Sequence, residues 1–341
     1  MNTIKLGTRG SKLALWQAEY IRETLERGGM SVEIVIISTK GDQILDRSLS
    51  KIGSKGVFTE ELEEQLRSGM IDIAQHSAKD LQSELSDDLE LIAFTEREKV
   101  NDVLVSFDKS LSLESGKPFV VGTSSTRRVA MLKHYYPHIQ TVDMRGNLQT
   151  RMGKLESGAC DALILAYAGV HRMGYEEHIA EIISVDKFTP AVGQGSVALE
   201  CAVSLNPEKK ARIRELCNHA ETEQQLLAER AFLRRLQGGC SIPVFGLAQA
   251  PRSVGRPPPH GATDALGAFE SKSRVLAPPS GAGRPTLRGA SLVGGLISLD
   301  GSEILKETIM GNDPVEMGNQ LAEKILSLGG DRILKEIRAN L

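Results

Sequence analysis

Ile4-Lys5-Leu6-Gly7-Thr8-Arg9-Gly10-Ser11 opens the chain and decides its architecture. Ile4 to Leu6 reads as a short strand. Ser11 reads as the N-cap of a helix whose apolar positions Leu13, Trp16, Tyr20 and Leu25 recur at helical spacing. Gly28-Gly29 stops that helix, and Val32 to Ile37 is a second strand rich in β-branched residues. A strand, a helix and a strand in this order seed a parallel α/β sheet.

The same grammar returns further on. Phe119-Val120-Val121 is strand-like and runs into Gly122-Thr123-Ser124-Ser125-Thr126-Arg127-Arg128, a glycine and hydroxyl turn at a helix start. Two arginines in a first helical turn oppose the helix dipole unless an anion joins them. Val142 to Asn147 repeats the pattern with Arg145, and Arg151 lies one turn on. Ala162 to Ala166 is a further strand, followed by Gly169 to Gly174 with Arg172. Arg127, Arg128, Arg145, Arg151 and Arg172 are thus expected at strand ends or early helix turns, lining a cleft for carboxylates or phosphates.

Between these units, Thr39 to Val57 is a polar loop with Lys40, Lys51 and Lys55. A helix is expected around Glu60 to Arg67 and a strand over Ile71 to Ala74. Asp80 then lies just past a strand's carboxyl end, where open α/β sheets place ligands, or serves as a helix N-cap. Leu89 to Thr95 and Asp102 to Ser106 read as strands, and the polar joint Glu96 to Asn101 as the first crossing between domains. Thr189 to Glu200 is a glycine-rich return segment without the P-loop pattern. Two helices follow, the second over about 220–236, leading into Gln237-Gly238-Gly239-Cys240. A thiol on such a glycine turn is accessible, although a small residue after a helix end reads the same way.

Composition bounds the class. The chain has 341 residues, enough for two or three domains, with 40% hydrophobic and 25% charged residues. A net charge of −3 argues against nucleic acid or an anionic membrane as partner. No apolar run reaches about 18 residues, and the start lacks signal-peptide regions, so a cytoplasmic protein is expected. The 4 cysteines and 7 histidines show neither a disulfide framework nor metal-ligand spacing, so no metal is expected.

Assembled, these segments resemble the porphobilinogen deaminase (hydroxymethylbilane synthase) family over about 3–248 and 291–340. The motifs are Thr8-Arg9-Gly10-Ser11 with Leu13-Ala14-Leu15-Trp16-Gln17, Lys51 to Phe58, His76 to Asp80, Gly122 to Arg128, Arg145-Gly146-Asn147, Pro190 to Gly195 and Gly238-Gly239-Cys240. The resemblance implies two α/β domains like periplasmic binding proteins, with the active site in the cleft between them, and a small α+β domain. The expected division is 1–96 with 196–216, then 101–190, then 220–341. It implies a transferase of tetrapyrrole (haem, porphyrin) biosynthesis that is a cytoplasmic monomer. Four porphobilinogen molecules are joined head to tail with loss of ammonia, and hydroxymethylbilane is released by hydrolysis.

Residue by residue, Cys240 matches the attachment point of a covalent dipyrromethane cofactor, and Asp80 the catalytic carboxylate that stabilises a cationic, azafulvene-like species. Lys79, Asp80, Thr123, Ser125, Arg127, Arg128, Arg145, Gly146 and Gln194 match cofactor-binding positions. Arg9, Ser11, Lys51, Lys55, Arg145, Arg151 and Arg172 match positions for the substrate's carboxylates.

Two departures stand out. Where the family has proline after Lys-Asp-Leu or Lys-Asp-Val, this chain has Lys79-Asp80-Leu81-Gln82, which is expected to loosen the turn behind Asp80. Gln249 to Ala290 holds seven of the 13 prolines, with six glycines and five arginines. It reads as a disordered insertion, or as foreign sequence replacing the third domain's second strand. The rival function is a non-catalytic anion- or amino-acid-binding protein, which needs no cysteine on a glycine turn and no third domain.

Overall fold

The computed structural model describes residues 3–39, 59–239, 241–249 and 289–340. Lys40 to Val57 with Lys51 and Lys55, Cys240, and the interior of Gln249 to Ala290 therefore lie outside the described residues.

The opening forms as the local chemistry dictates. Strand β1 (Ile4–Arg9) runs further than its first three residues, and helix α1 (Lys12–Arg27) starts where the Ser11 hydroxyl accepts from the Ala14 N–H. Ala14, Ala18, Ile21 and Leu25 form the buried stripe of α1. Strand β2 (Val32–Ile37) pairs parallel to β1 in register Ile4–Val32. Helix α2 (Glu60–Arg67) follows, then β3 (Ile73–Ser77), which begins later and ends later than expected. β4 (Leu89–Phe94) completes the outgoing half, and β10 (Val197–Ala202) returns to lie antiparallel between β3 and β4. The sheet order is β2-β1-β3-β10-β4.

A second five-stranded sheet has the order β7-β6-β8-β5-β9. It comprises β5 (Asp102–Val105), β6 (Val120–Gly122), β7 (Gln140–Val142), β8 (Ala162–Ala166) and β9 (Ile179–Ile182), the last unforeseen. Helices α3 (Thr126–Tyr135), α4 (Leu148–Glu156) and α5 (Tyr167–Arg172) connect them. Ser125 and Asn147 cap α3 and α4 through their side chains. Arg172 sits at the end of α5, not in an early turn as expected.

Two crossings join the sheets and run side by side. The Thr95 N–H donates to Val197 O at 2.9 Å, and the Glu98 N–H to Gly195 O at 3.2 Å.

Helices α6 (Pro207–Cys217) and α7 (Ala220–Arg235) lead to the third unit, an antiparallel sheet of β11 (Val244–Gln249), β12 (Ala290–Ile297) and β13 (Ile304–Gly311). Here the sequence reading is corrected. Gln249 and Ala290 are strand residues, and Ala290–Ile297 is the third unit's second antiparallel strand. Helices α8 (Pro314–Ile325), capped by Asp313, and α9 (Asp331–Ala339) close the chain. One core joins Phe232, Leu236, Val244, Leu292, Leu296 and Leu321. Phe245 and Ile297 pack instead with Leu104, Met131 and Phe188, so the third unit is docked on the second by apolar burial. Among the described residues, no helix is long and apolar enough to cross a membrane.

Candidate active site

The carboxyl end of β3 runs into a single tight turn, Ala78–Asp80. Ala78 and Leu81 are buried on either side of it, while Asp80 is exposed. Burial of its neighbours thus aims the one carboxylate outward, into a cleft also lined by Arg9, Ser11, Gln17, Thr59 and Ser77. The return crossing presses on this turn from behind. Gly193 has φ +78°, and a Cβ there would lie 2.8 Å from Ala78 C and 2.9 Å from Lys79 N, so only glycine fits.

Lys79 points into a charged network. Its Nζ lies 3.5 Å from Gln194 Oε1. Burial, followed by the positive field of Arg128, lowers its ammonium to about 8 against the pull of Asp80 and Asp102. Arg151 faces the same field. Burial pushes its guanidinium down, Arg128 adds to the effect, and Asp80 and Asp143 oppose it. The sheets therefore bring Asp80 and Lys79 from one unit to Arg128 and Arg151 from the other.

Arg127 and Arg128 have an anion, and the protein itself supplies it. Asp102, fully buried on β5, accepts from Arg127 Nη2 and Arg128 Nη2, each at 2.7 Å, and from Gln194 Nε2 at 2.9 Å. Arg127 Nη1 also donates to Thr189 O, and Arg128 Nη1 to Ile164 O. Nε of each arginine is buried without a partner among the described residues. Burial alone raises the Asp102 carboxyl, but the two guanidiniums and the hydrogen bonds from Arg128 and Gln194 hold it well below the usual carboxylate range. Sequence reasoning found the conflict at this helix start and missed Asp102. Its only signal was an acid at the head of the apolar run Val103-Leu104-Val105.

A depressed folded pKa means that Asp102 stabilises the fold above its unfolded value near about 3.9, and that this stability is lost as pH falls through the folded value. Asp102→Ala is expected to cost about 3–5 kcal/mol, because it leaves two buried guanidiniums unpaired. Urea unfolding at pH 7 checks this, and the gap between variant and wild type should shrink below about pH 4.

The remaining expected residues divide by role. Ser11 and Ser125 cap helices with the same hydroxyls that were expected to meet ligands. Thr123 Oγ1 accepts from the Ser125 N–H at 3.3 Å. Arg145 Nε donates to Asp143 at 3.0 Å, and Arg151 Nε to Gly146 O at 2.8 Å. Gly146 has φ +111°, and a Cβ there would lie 2.7 Å from Thr150 Cγ2. Arg172 donates to Gly195 O at 2.7 Å and lies 5.6 Å over the Trp16 ring, so it bridges α1, α5 and the return crossing.

Sequence reasoning also missed a junction behind the cleft. Glu229 on α7, fully buried, takes both terminal nitrogens of Arg97, at 2.6 and 3.1 Å. It also accepts from the Gly193 N–H at 2.8 Å and the Ala248 N–H at 2.9 Å. One carboxylate thus ties both crossings to the third unit. On the neighbouring face, His76 Nε2 lies 3.0 Å from Glu200 Oε2, and both are buried.

Comparison with known proteins agrees along the chain. Residues 4–209 match the family model described as porphobilinogen deaminase, dipyromethane cofactor binding domain, and residues 223–253 that of the porphobilinogen deaminase C-terminal domain. Porphobilinogen deaminase of Cytophaga hutchinsonii is 51% identical over 341 residues, covering 99% of this chain and 98% of the relative. The proteins of that name from Desulfosudis oleivorans and Desulfitobacterium hafniense are 46% and 42% identical, over 98% or more of both chains. Among solved structures, the second substrate binding domain of a putative amino acid ABC transporter from Streptococcus pneumoniae overlaps 63% of this chain and 91% of its own, at 15% identity and TM-score 0.40. The chain belongs to the porphobilinogen deaminase family.

Proposed function

We propose that this protein is a transferase carrying out the family's reaction. In it, four porphobilinogen molecules are condensed head to tail with loss of ammonia, and hydroxymethylbilane is released by hydrolysis. The observation that carries this reading is the exposed Asp80, which lines a cleft and whose charge reaches both Lys79 and Arg151.

The residues present fit the family's dipyrromethane. Its acetate and propionate groups are anionic. The buried, unpartnered Nε atoms of Arg127 and Arg128 and the lowered ammonium of Lys79 are positive groups with unused capacity. Lys79, Arg128, Arg145 and Arg151 are the residues that would hold such carboxylates, with Ser125, Thr123, Gly146 and Gln194 shaping the wall. When bound through Cys240, the group supplies an anchored, electron-rich pyrrole on which the product grows. Arg9, Ser11 and Arg172 lie toward the substrate side in this reading, as do Lys51 and Lys55, which are outside the described residues. Asp80 offers negative charge where positive charge develops as ammonia departs, and once the new carbon–carbon bond has formed its carboxylate oxygen accepts the proton released from the attacked pyrrole α-carbon.

The division into 1–96 with 196–216, 101–190 and 220–341 belongs to this reading, supported by the membership of the strands in three sheets. Porphobilinogen is the partner, and the enzyme works as a cytoplasmic monomer. The buried free thiols of Cys160, Cys201 and Cys217 support a reducing compartment.

The test is direct. Purified protein supplied with porphobilinogen should release ammonia and a linear tetrapyrrole, with intermediates seen as stepwise mass increments on the intact chain. A protein that binds porphobilinogen and returns it unchanged would favour the non-catalytic alternative.

A further inference from the structure

The turn behind Asp80 carries Gln82 where the resemblance led us to expect a proline, and the structure gives that residue three bonds. Its Nε2 lies 3.2 Å from Thr59 Oγ1 and 3.3 Å from Glu63 Oε1. Its backbone carbonyl accepts from Arg230 Nη2, on α7, at 2.9 Å. The partners are demanding ones. Thr59 is 3% and Glu63 9% exposed, and the Thr59 hydroxyl itself donates to Glu63 Oε1 at 2.7 Å. A carboxylate this deep needs every donor it has, and among the described residues Arg67 alone joins on its other oxygen, at 3.3 Å.

The placement matters because Thr59 and Asp80 line the same cleft. On its upstream side the Asp80 turn is held by the Ala78 N–H, which donates to Ser196 O at 3.0 Å. Downstream, Leu81 is buried among Phe94, Ala198 and Leu226, and Gln82 follows at once. Among the described residues, the amide is what links the backbone after Asp80 to Thr59 and Glu63.

We propose that Gln82 is a positioning residue for Asp80: its amide ties the Thr59–Glu63 wall to the turn bearing the carboxylate, while Arg230 ties that turn to the helix leading to Cys240. This rests on the reading of Asp80 as the catalytic carboxylate. Proline would stiffen such a turn by restricting φ, and glutamine does it by hydrogen bonding instead. The expected loosening of the turn is thereby offset.

The experiment compares Gln82→Leu, Gln82→Glu and Asp80→Asn with the wild-type holoenzyme, reading kcat, KM for porphobilinogen and Tm. Gln82→Leu removes the two side-chain bonds at similar volume, keeps the carbonyl for Arg230, and should lower kcat about tenfold with KM within about twofold. Gln82→Glu places a second carboxylate against Glu63. A shared proton restores the donor at low pH, so activity relative to wild type should rise as pH falls from about 8 to 6. A Gln82→Leu kcat within about twofold of wild type overturns the inference. If that variant does not fold, a flat relative pH profile for Gln82→Glu overturns it. Wild-type turnover by Asp80→Asn would instead sink the underlying reading of Asp80. A slow Asp80→Asn beside a fast Gln82→Leu sinks only the role of Gln82.

Discussion

Asp80→Asn should fold, bind its cofactor when supplied with preformed tetrapyrrole, and elongate about 10²–10³-fold more slowly than wild type at saturating porphobilinogen. Asparagine keeps the shape and removes the charge. Asp80 is exposed while Ala78 and Leu81 beside it are buried, so the substitution leaves the core untouched. The loss therefore falls on the transition state, where a carboxylate aligned with developing positive charge contributes on the order of 3–4 kcal/mol. Arg145→Leu provides the contrast, because removing a carboxylate clamp weakens binding and raises KM. The measurement is steady-state turnover alongside an intact-mass count of bound pyrrole units. Turnover of Asp80→Asn within about threefold of wild type would leave Asp80 a structural turn residue.

Cys240→Ser should lack the covalent adduct altogether and retain less than about a thousandth of wild-type activity, since tethering replaces a bimolecular encounter at each step. Cys240 itself lies outside the described residues, but its frame does not. Helix α7 ends at Arg235, Gln237 just beyond it takes φ +50°, and the Gly238 N–H closes on Leu233 O at 2.9 Å. The Ile242 N–H then reaches back to Gly239 O at 3.0 Å. The other thiols are poor competitors. Cys160, Cys201 and Cys217 are buried in cores, and burial pushes the thiols of Cys201 and Cys217 up to about 12. Thiolate is the reactive form, so these groups stay inert at neutral pH. Peptide mapping of freshly made active protein should find two pyrrole units on the peptide containing Cys240. An adduct on any other cysteine, or an active Cys240→Ser, would contradict the assignment.

What the sequence by itself determined is local. Ser11, Ser125, Asn147 and Asp313 each start a helix because a short side-chain oxygen meets an amide three residues on, and that geometry needs no distant partner. The alternation of strands and helices followed from β-branched runs and glycine stops, and the place of Asp80 on a cleft was legible because the stretch His76 to Asp80 follows a strand's carboxyl end. The tertiary structure alone decided the pairings across long separations. Strand β12 carries Gly294 and Gly295, which weaken any local strand signal, and exists because β11 and β13 flank it. The charge conflict at Arg127 and Arg128 was readable, but its resolution by Asp102 required the sheet order that sets β5 beside β8. Gln82 looked like a weakened turn until folding brought Thr59, Glu63 and Arg230 to it. Capping is a property of adjacent residues. Satisfying a buried charge or amide depends on which distant atoms the fold brings within about 3 Å, and a linear pattern does not encode that distance.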